Sequence, residues 1–255
     1  MRGKKGSESL TGNHLIDLHA HILPKMDDGP ETLDESLEMA RIAVKDGIRT
    51  MVTTPHHLNG RHLNWRHDIL AACEEFNSQL RKHQIPFTVL PGSEVRLAPE
   101  LAERIKEGRL MTLNDTGRYF FLELPDQFIP GAVISLINHL RQDKVTAIIT
   151  HPERNATIQQ NLDLLSDFVL AGALSQVTAG SITGQFGRYI YKCSVKIVKM
   201  QMAHFVASDA HSPQGRPPKL FSAIKKLTSV VGKTRAKRMM FDFPQAVLDG
   251  KDIRE

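Results

Sequence analysis

The chain has 255 residues, of which 41% are hydrophobic and 24% are charged, as in an ordinary globular protein. The formal net charge of +5 is compatible with anionic substrates but does not by itself indicate nucleic acid. The two cysteines are too few for a disulfide framework, and no run approaches the roughly 20 apolar residues of a membrane helix. We therefore expect a reducing, cytoplasmic environment and no membrane insertion.

The first residues differ in character from the rest. Residues 1–13 are mostly polar and basic and lack the apolar segment of a secretory signal. We predict that they form a flexible N-terminal tail and that residues 14–255 form a single domain, since this length suffices for one large α/β domain.

Apolar strand-like runs alternate with helical patterns from Leu15 onward. The predicted strands are Leu15–His19, Thr50–Thr54, Thr88–Val95, Tyr119–Leu124, Thr146–Thr150, Leu174–Thr178 and Phe205–Ser208. The clearest helix runs from Leu33 to Val44, after a capping box at Thr32 and before a probable C-cap at Gly47. The other predicted helices are Trp65–Lys82, Pro99–Glu107, Gly131–Gln142, Asn161–Leu170, Arg188–Met202 and Lys219–Val231. This order predicts about seven βα units with a parallel sheet, as an open doubly wound sheet or a closed barrel.

Potential metal ligands follow nearly every predicted strand. In chain order they are His19, His21, Asp28, His56, Glu94, Glu123, His151, Asp209 and His211. In (β/α) barrels the functional residues come from the carboxyl ends of several strands and converge on one mouth. The distribution of these side chains therefore favours the barrel over the open sheet.

The residue types indicate a metal site. Imidazole and carboxylate ligands together suit Zn²⁺, Mn²⁺ or Fe²⁺, and no cysteine joins the set. The ligands outnumber what one ion needs, and several carboxylates at one mouth would repel one another without cations. We therefore expect two or three ions. A carboxylate at Glu123, within an apolar run, is costly to bury unless it is paired or bound to a metal.

A series of short segments resembles one known group. They are Asp17–Pro24, Asp27–Gly29, Thr54–His57, Gly92–Arg96, Leu122–Pro125, His151–Asn155, Thr178–Ser181, Ser208–His211 and Arg216–Pro218. The chain resembles the polymerase and histidinol phosphatase (PHP) superfamily of metal-dependent phosphoesterases. Within it, the chain is most similar to the bacterial tyrosine-protein phosphatases of capsule and exopolysaccharide loci, the CpsB/CapC/YwqE type. The resemblance implies an α/β fold, a distorted (β/α)7 barrel.

The resemblance also implies a centre of three divalent ions, with Mn²⁺ favoured and Zn²⁺ or Fe²⁺ as alternatives. The first ion would be held by His19, His21, Glu94 and Asp209. The second would be held by Asp28, His56 and His211. The third would be held by Glu94, Glu123 and His151, so that Glu94 bridges two ions. Histidinol phosphatases tend to have histidine where this chain has Asp28 and Glu123, which favours the tyrosine phosphatase branch.

The implied activity is hydrolysis of phosphotyrosine by attack of a metal-bridging hydroxide. The implied partner is an autophosphorylated bacterial tyrosine kinase that controls capsular or exopolysaccharide synthesis. Arg154 and Arg216 lie just beyond His151 and His211, and we assign both to the substrate phosphate because guanidinium matches phosphate bidentately. We name no general acid, since a phenolate with a pKa of about 10 leaves readily.

Other activities are less compatible with the sequence. Cysteine-based phosphatase chemistry would place an arginine at residue 79 or 199, where the chain has Gln79 and Lys199. A basic stretch at residues 225–238 is typical of a solvated helix face, and it leaves open a docking site for an acidic partner or nucleic acid. A PHP-type small-molecule phosphatase, acting on a substrate like histidinol phosphate, and a PHP-type nuclease remain alternatives. With few aromatic residues for base stacking, no nucleic acid is expected, and the sequence does not determine the oligomeric state.

Overall fold

The computed structural model describes residues 14–253, so the predicted tail over residues 1–13 lies outside the described residues. Within this range the chain forms nine strands and ten α-helices. The strands are β1 (Leu15–Ala20), β2 (Ile48–Thr53), β3 (His56–His57), β4 (Thr88–Leu90), β5 (Glu94–Arg96), β6 (Tyr119–Glu123), β7 (Thr146–Thr150), β8 (Leu174–Thr178) and β9 (Phe205–Ala207). The helices are α1 (Leu33–Asp46), α2 (Arg66–Lys82), α3 (Leu101–Lys106), α4 (Val133–Gln142), α5 (Ala156–Gln160), α6 (Asp163–Ala171), α7 (Ala179–Thr183), α8 (Arg188–Lys199), α9 (Phe221–Lys237) and α10 (Phe243–Leu248).

The boundaries of α1 follow from local sequence. The Thr32 hydroxyl accepts a hydrogen bond from the Glu35 backbone N–H at 3.2 Å, and the Glu35 carboxylate accepts one from the Thr32 backbone N–H at 3.2 Å. This reciprocal pair satisfies two backbone donors that the helix leaves free. At the other end Gly47 adopts φ 97°, the left-handed conformation that ends a helix at little cost for glycine. The capping box and the C-cap predicted from the sequence are confirmed.

All strand pairs in the described residues are parallel. The strand order is β1-β2-β4 in one sheet and β3-β5-β6-β7-β8-β9 in the other. The predicted third strand is in fact two strands, since residues 91–93 interrupt it between β4 and β5. Pro91 has no N–H to donate to a ladder. At Gly92 a Cβ would lie 2.5 Å from Val52 Cγ1, so the backbone passes too close for any larger residue.

The first and last strands lie side by side at their carboxyl ends. The backbone N–H of His21 donates to the Ala210 carbonyl at 2.8 Å, and that of Asp209 donates to the His19 carbonyl at 2.8 Å. Ala20 and Ala210 form a parallel bridge. These bonds join the two sheets at one edge, which is the strand arrangement that the predicted α/β barrel class requires. No described helix is long and apolar enough to cross a bilayer.

The side chains of the strands divide between two hydrophobic clusters. Phe121, Ile148 and Phe205 pack in an inner cluster, whereas Phe120 and Leu122 pack in the larger outer cluster beneath the helices. This alternation is the two-residue period of a strand. In β6 the same period places Glu123 on the inner side, one step beyond Phe121, at the carboxyl end of the strand. The functional side chains therefore lie above the inner cluster.

Candidate metal centre

The structure brings all eleven predicted site residues together at the carboxyl ends of the strands. Nine of them line a cavity of about 210 Å³: Asp28, His56, Glu94, Glu123, His151, Arg154, Asp209, His211 and Arg216. His19 and His21 are completely buried and lie against Glu94. The cavity is thus bordered by imidazoles, carboxylates and two guanidinium groups.

In three histidines a hydrogen bond at Nδ1 leaves Nε2 as the nitrogen that can bind a cation. His19 Nδ1 lies 3.0 Å from Gln176 Oε1, and His21 Nδ1 lies 2.5 Å from Asp27 Oδ2. His211 Nδ1 lies 3.0 Å from the Asp209 carbonyl oxygen. Because each partner is an acceptor, Nδ1 carries the proton in the neutral ring and Nε2 presents a lone pair. Such an acceptor behind the ring is the usual support of a metal-binding histidine.

The Nε2 atoms of His19 and His21 lie 3.3 Å apart. Glu94 Oε2 lies 3.3 Å from the first and 3.6 Å from the second, and Asp209 Oδ1 lies 3.6 Å from both. Ligand atoms that bind one ion at about 2.1 Å are separated by about 3.0–3.4 Å in octahedral or tetrahedral geometry. The four ligand atoms of the first predicted set therefore have the mutual spacing that a shared cation would require.

The second predicted set lies beside the first. His56 Nε2 and His211 Nε2 are each 3.5 Å from Asp28 Oδ1. His21 belongs geometrically to both sets, because ligand atoms of His21, Asp28, His56 and His211 all lie within 4.8 Å of one another. This set opens toward solvent, since Asp28 is largely exposed.

In the third predicted set, one of the three side chains has another partner. His151 Nε2 lies 2.9 Å from Glu94 Oε1. Glu123, in contrast, has one carboxylate oxygen engaged, because Arg96 Nη1 donates to its Oε1 at 2.8 Å. Its other oxygen is buried and has no hydrogen-bond partner among the described residues. The structure therefore places these three side chains at one wall of the cavity and leaves one oxygen of Glu123 available.

Buried polar atoms without partners indicate that a cation belongs here. Within the described residues, Glu94 Oε2 and His56 Nδ1 have no hydrogen-bond partner, although they lie only 3.2 Å apart. Burial would raise the pKa of Glu94, but the positive charge that His19 and His151 carry in their protonated forms outweighs it and holds that pKa well below its ordinary value. Burial and the neighbouring Glu94 charge raise the pKa of Glu123. Divalent cations would satisfy the lone pairs and remove the repulsion between the two carboxylates.

Arg154 and Arg216 meet at one carboxylate. Arg154 Nη1 and Arg216 Nη2 both donate to Asp209 Oδ2, while Asp209 Oδ1 faces His19 and His21. The sequence placed both arginines at the rim but did not indicate that they share a predicted ligand. Each guanidinium has five N–H donors, and Arg216 Nε is buried with no hydrogen-bond partner in the described part of the chain. Donors therefore remain for an anion in the cavity.

Two residues of the site hold the left-handed backbone conformation without being glycine. His151 has φ 33° at the end of β7, and Asp209 has φ 53° just after β9. Such conformations cost on the order of 1–3 kcal/mol each and persist only where the surroundings impose them. Here they turn the chain at the end of each strand and aim both side chains into the cavity.

Sequence reasoning did not assign roles to Asp27, Gln176 or Arg96. Asp27 belongs to the resembling segment Asp27–Gly29, but the resemblance implies its neighbour Asp28 as the ligand. The histidines themselves are a signal for such residues, because a metal-binding histidine needs an acceptor at the ring nitrogen that does not bind the metal. Gln176 is the central residue of strand β8, and it is completely buried.

The two cysteines lie outside the cavity, on α2 and α8. Burial raises the pKa of the Cys73 thiol to about 12. Burial, with a contribution from Glu153, raises the pKa of the Cys193 thiol to about 11. Both thiols are protonated at neutral pH and are therefore poor nucleophiles.

Known proteins are similar to this chain in sequence and in fold. Residues 15–249 match the family described as capsular polysaccharide synthesis, CpsB/CapC. The chain is 42% identical over 202 residues to the tyrosine-protein phosphatase YwqE of Bacillus subtilis, covering 79% of each protein. It is 37% identical over 203 residues to the putative tyrosine-protein phosphatase CapC of Staphylococcus aureus, covering 80% of this chain and 79% of CapC.

A solved structure agrees with these sequence matches. It comes from work on YwqE of Bacillus subtilis and CpsB of Streptococcus pneumoniae, described as unique metal-dependent tyrosine phosphatases. The superposition has a TM-score of 0.90 at 38% sequence identity and covers 94% of this chain and 96% of the other. The α/β architecture predicted from the sequence is confirmed by this likeness.

Removing the carboxylate of Asp27 should weaken metal binding without unfolding the protein. Its two oxygens contact His21 Nδ1 and the backbone N–H groups of Gly29 and His56. Asp27→Asn should reduce the affinity for Mn²⁺ about 10- to 100-fold, as is typical for a lost supporting partner. Isothermal titration of the metal-free protein measures this, with Asp34→Asn on the exposed start of α1 as the control. Unchanged affinity in Asp27→Asn would exclude this role.

Proposed function

The chain belongs to the CpsB/CapC family of capsular polysaccharide synthesis, a family of metal-dependent tyrosine-protein phosphatases, and we propose that it hydrolyses phosphotyrosine in a bacterial phosphoprotein. One observation carries the proposal. The Nε2 atoms of His19 and His21 converge with Glu94 Oε2 at the base of a cavity that two arginines border. A cation site next to guanidinium donors is the arrangement that phosphate-ester hydrolysis needs.

The proposed ligands are those that the resemblance implies. His19, His21, Glu94 and Asp209 would hold one ion, and Asp28, His56 and His211 would hold a second. Glu94, Glu123 and His151 would hold a third, with Glu94 shared between two ions. The close approach of the first two sets supports this assignment, and the unpartnered oxygen of Glu123 supports the third. Mn²⁺ is our choice of metal because nitrogen- and oxygen-rich sites suit it.

The ions, when bound, would activate a water near neutral pH and neutralise charge on the phosphoryl oxygens. The residues of the chain would bind and orient the substrate. Arg154 and Arg216 would turn their remaining N–H donors to the phosphoryl oxygens, while Asp209 holds both guanidinium groups at a fixed separation. The mutual contact with Asp209 reduces the rotamer freedom that substrate binding would otherwise have to remove.

Phosphotyrosine suits a site without an assigned proton donor for the leaving oxygen. A phenolate has a pKa of about 10 and departs more readily than the alkoxide of phosphoserine. The physiological substrate that we propose is an autophosphorylated bacterial tyrosine kinase of capsular or exopolysaccharide synthesis. The description of the matched family, capsular polysaccharide synthesis, supports this choice.

Activity should depend on divalent metal and not on a thiol. Chelation should abolish release of phosphate from a phosphotyrosine peptide, and Mn²⁺ should restore it. The double variant Cys73→Ser with Cys193→Ser should keep kcat/KM close to the parent value, because neither thiol reaches the cavity. Histidinol phosphate and a DNA 3′ end serve as comparison substrates, and we expect much slower turnover of both. Loss of activity in the double variant, or turnover that survives chelation, would refute the metal mechanism.

Arg154→Ala and Arg216→Ala should weaken catalysis while the protein keeps its metal. Charge-assisted hydrogen bonds contribute roughly 1.5–3 kcal/mol, so kcat/KM should fall about 10- to 100-fold for each variant. Lysine at either position should restore only part of the rate, since it lacks the planar fork. Arg66→Ala is a matched control, because Arg66 forms its ion pair with Asp115 away from the cavity.

Because both arginines contact Asp209, they could instead act by holding this ligand in place, and a measurement separates the two roles. Elemental analysis and melting temperature should be measured on the same preparations as the kinetics. If metal content falls in step with activity, the arginines maintain the Asp209 ligand and do not bind phosphate.

A further inference from the structure

Charge is distributed very unevenly along this chain. Between Asp167 and Asp242 the sequence contains twelve lysines and arginines and a single acidic residue, Asp209. Asp209 lies in the candidate metal centre, where Arg216 contacts it, so the other eleven cations have no further acidic residue within this segment of the sequence. The net charge of the whole chain is +5, so the remaining residues together carry a net charge of −6. The basic character of the protein comes entirely from this one segment.

Most of these cations lie on two helices that pack against each other, α8 and α9. Neither helix contains an acidic residue. The Lys226 ammonium on α9 lies 4.8 Å from the centroid of the Tyr191 ring on α8, which connects the two helices. The exposed cations are Arg188, Lys192, Lys196 and Lys199 of α8, Lys219 just before α9 and Lys225 in its first turns; Lys233 is exposed farther along α9. We refer to these cations, without Lys233, as the α8–α9 basic face.

The α8–α9 basic face begins beside the cavity. Arg188, the first residue of α8, follows Phe186 by two positions, and the Phe186 ring lies 5.5 Å below the guanidinium carbon of Arg154. Lys219 follows Arg216 by three positions, just before α9. Arg154 and Arg216 both line the cavity. The two helices therefore start at the rim and carry positive charge away from it.

Exposed aromatic side chains accompany the cations at the same ends of the helices. Tyr189 is 64% exposed at the start of α8, and Phe221 is 55% exposed at the start of α9. Large exposed aromatic residues beside a charged patch are typical of a binding surface for another macromolecule. They add an apolar component to a surface that would otherwise attract any anion equally.

We propose that the α8–α9 basic face binds the acidic segment of a protein substrate that flanks its phosphotyrosine. The inference rests on the proposed function and extends it to the choice of substrate. A phosphotyrosine held by Arg154 and Arg216 would leave its neighbouring residues at the rim, where the basic face starts. Charges within about 10 Å of one another interact appreciably at moderate salt, and like-signed patches of this kind accelerate encounter with an oppositely charged partner.

Continuity with the cavity favours a peptide over a lipid surface. A membrane would contact the outer side of both helices along their whole length and would not require cations at the rim. Arg188 and Lys192 lie in the first turns of α8 and Lys219 lies just before α9, so a flanking peptide would reach these cations first. An anionic bilayer is accordingly the alternative that the experiment has to separate.

The test uses the metal-loaded full chain and a triple charge reversal, Lys192→Glu, Lys219→Glu and Lys225→Glu. None of these side chains belongs to the metal centre or to the proposed phosphate contacts. The matched control reverses three exposed lysines elsewhere, Lys45→Glu, Lys82→Glu and Lys106→Glu, with the same change in net charge. The substrates are a phosphotyrosine peptide flanked by Asp and Glu, the same peptide with Asn and Gln, and phenyl phosphate.

The parent protein should prefer the acidic peptide, and its KM for that peptide should rise with salt. The triple reversal at the basic face should raise this KM about tenfold, since each exposed charge contributes little alone. It should leave phenyl phosphate turnover unchanged. The control reversal should retain the preference for the acidic peptide, because its lysines lie on other helices.

Failure of this inference and failure of the proposed function would give different results. Equal KM values for the two peptides in an active parent protein would overturn the inference and leave the proposed function intact. So would a triple reversal that changes no peptide KM but abolishes sedimentation with phosphatidylserine vesicles, which would make the face a lipid-binding surface. If the parent protein releases no phosphate from any of the three substrates, the proposed function fails and the inference with it.

Discussion

The site is organised around one buried carboxylate. Glu94 is completely buried and lies within 2.9–3.6 Å of nitrogen atoms from His19, His21, His56 and His151. Two of these rings, His19 and His21, turn Nε2 toward it, because their Nδ1 atoms contact acceptors. A charged carboxylate among the lone pairs of neutral imidazoles is unfavourable in a protein interior unless cations lie between them. The need for cations at Glu94 determines what the other residues around the cavity have to provide.

The fold brings side chains from several strands together around Glu94. Parallel strands present their carboxyl ends at one edge, so histidines from β1, from β3 and from the ends of β1 and β7 reach Glu94. The segment after β9 brings Asp209 to two of the same histidines. The left-handed backbone at His151 and Asp209 turns these side chains inward at a local energetic cost. Asp209 then links the two functions of the mouth, since one oxygen faces the histidines and the other holds both arginines.

Much of this could be predicted from sequence. The strands Thr146–Thr150 and Leu174–Thr178 were predicted with the bounds that the structure shows, because each is a short run bounded by turns. The third strand was predicted as continuous, since a run of apolar residues does not reveal a close backbone contact such as that of Gly92 with Val52. The chemistry of metal-binding histidines predicts an acceptor behind each ring. It does not predict which residue supplies it, because Gln176 reaches His19 only through tertiary structure. The C-terminal helix α10 was also missed.

Diffraction at the manganese absorption edge, from crystals grown with Mn²⁺, would show directly whether cations lie at Glu94. We expect anomalous peaks within coordination distance of Glu94, one shared with His19 and His21 and one on the side of His151. We also expect a peak among Asp28, His56 and His211. Absence of anomalous density next to Glu94 in crystals of the active protein would contradict the claim that this carboxylate holds the cations.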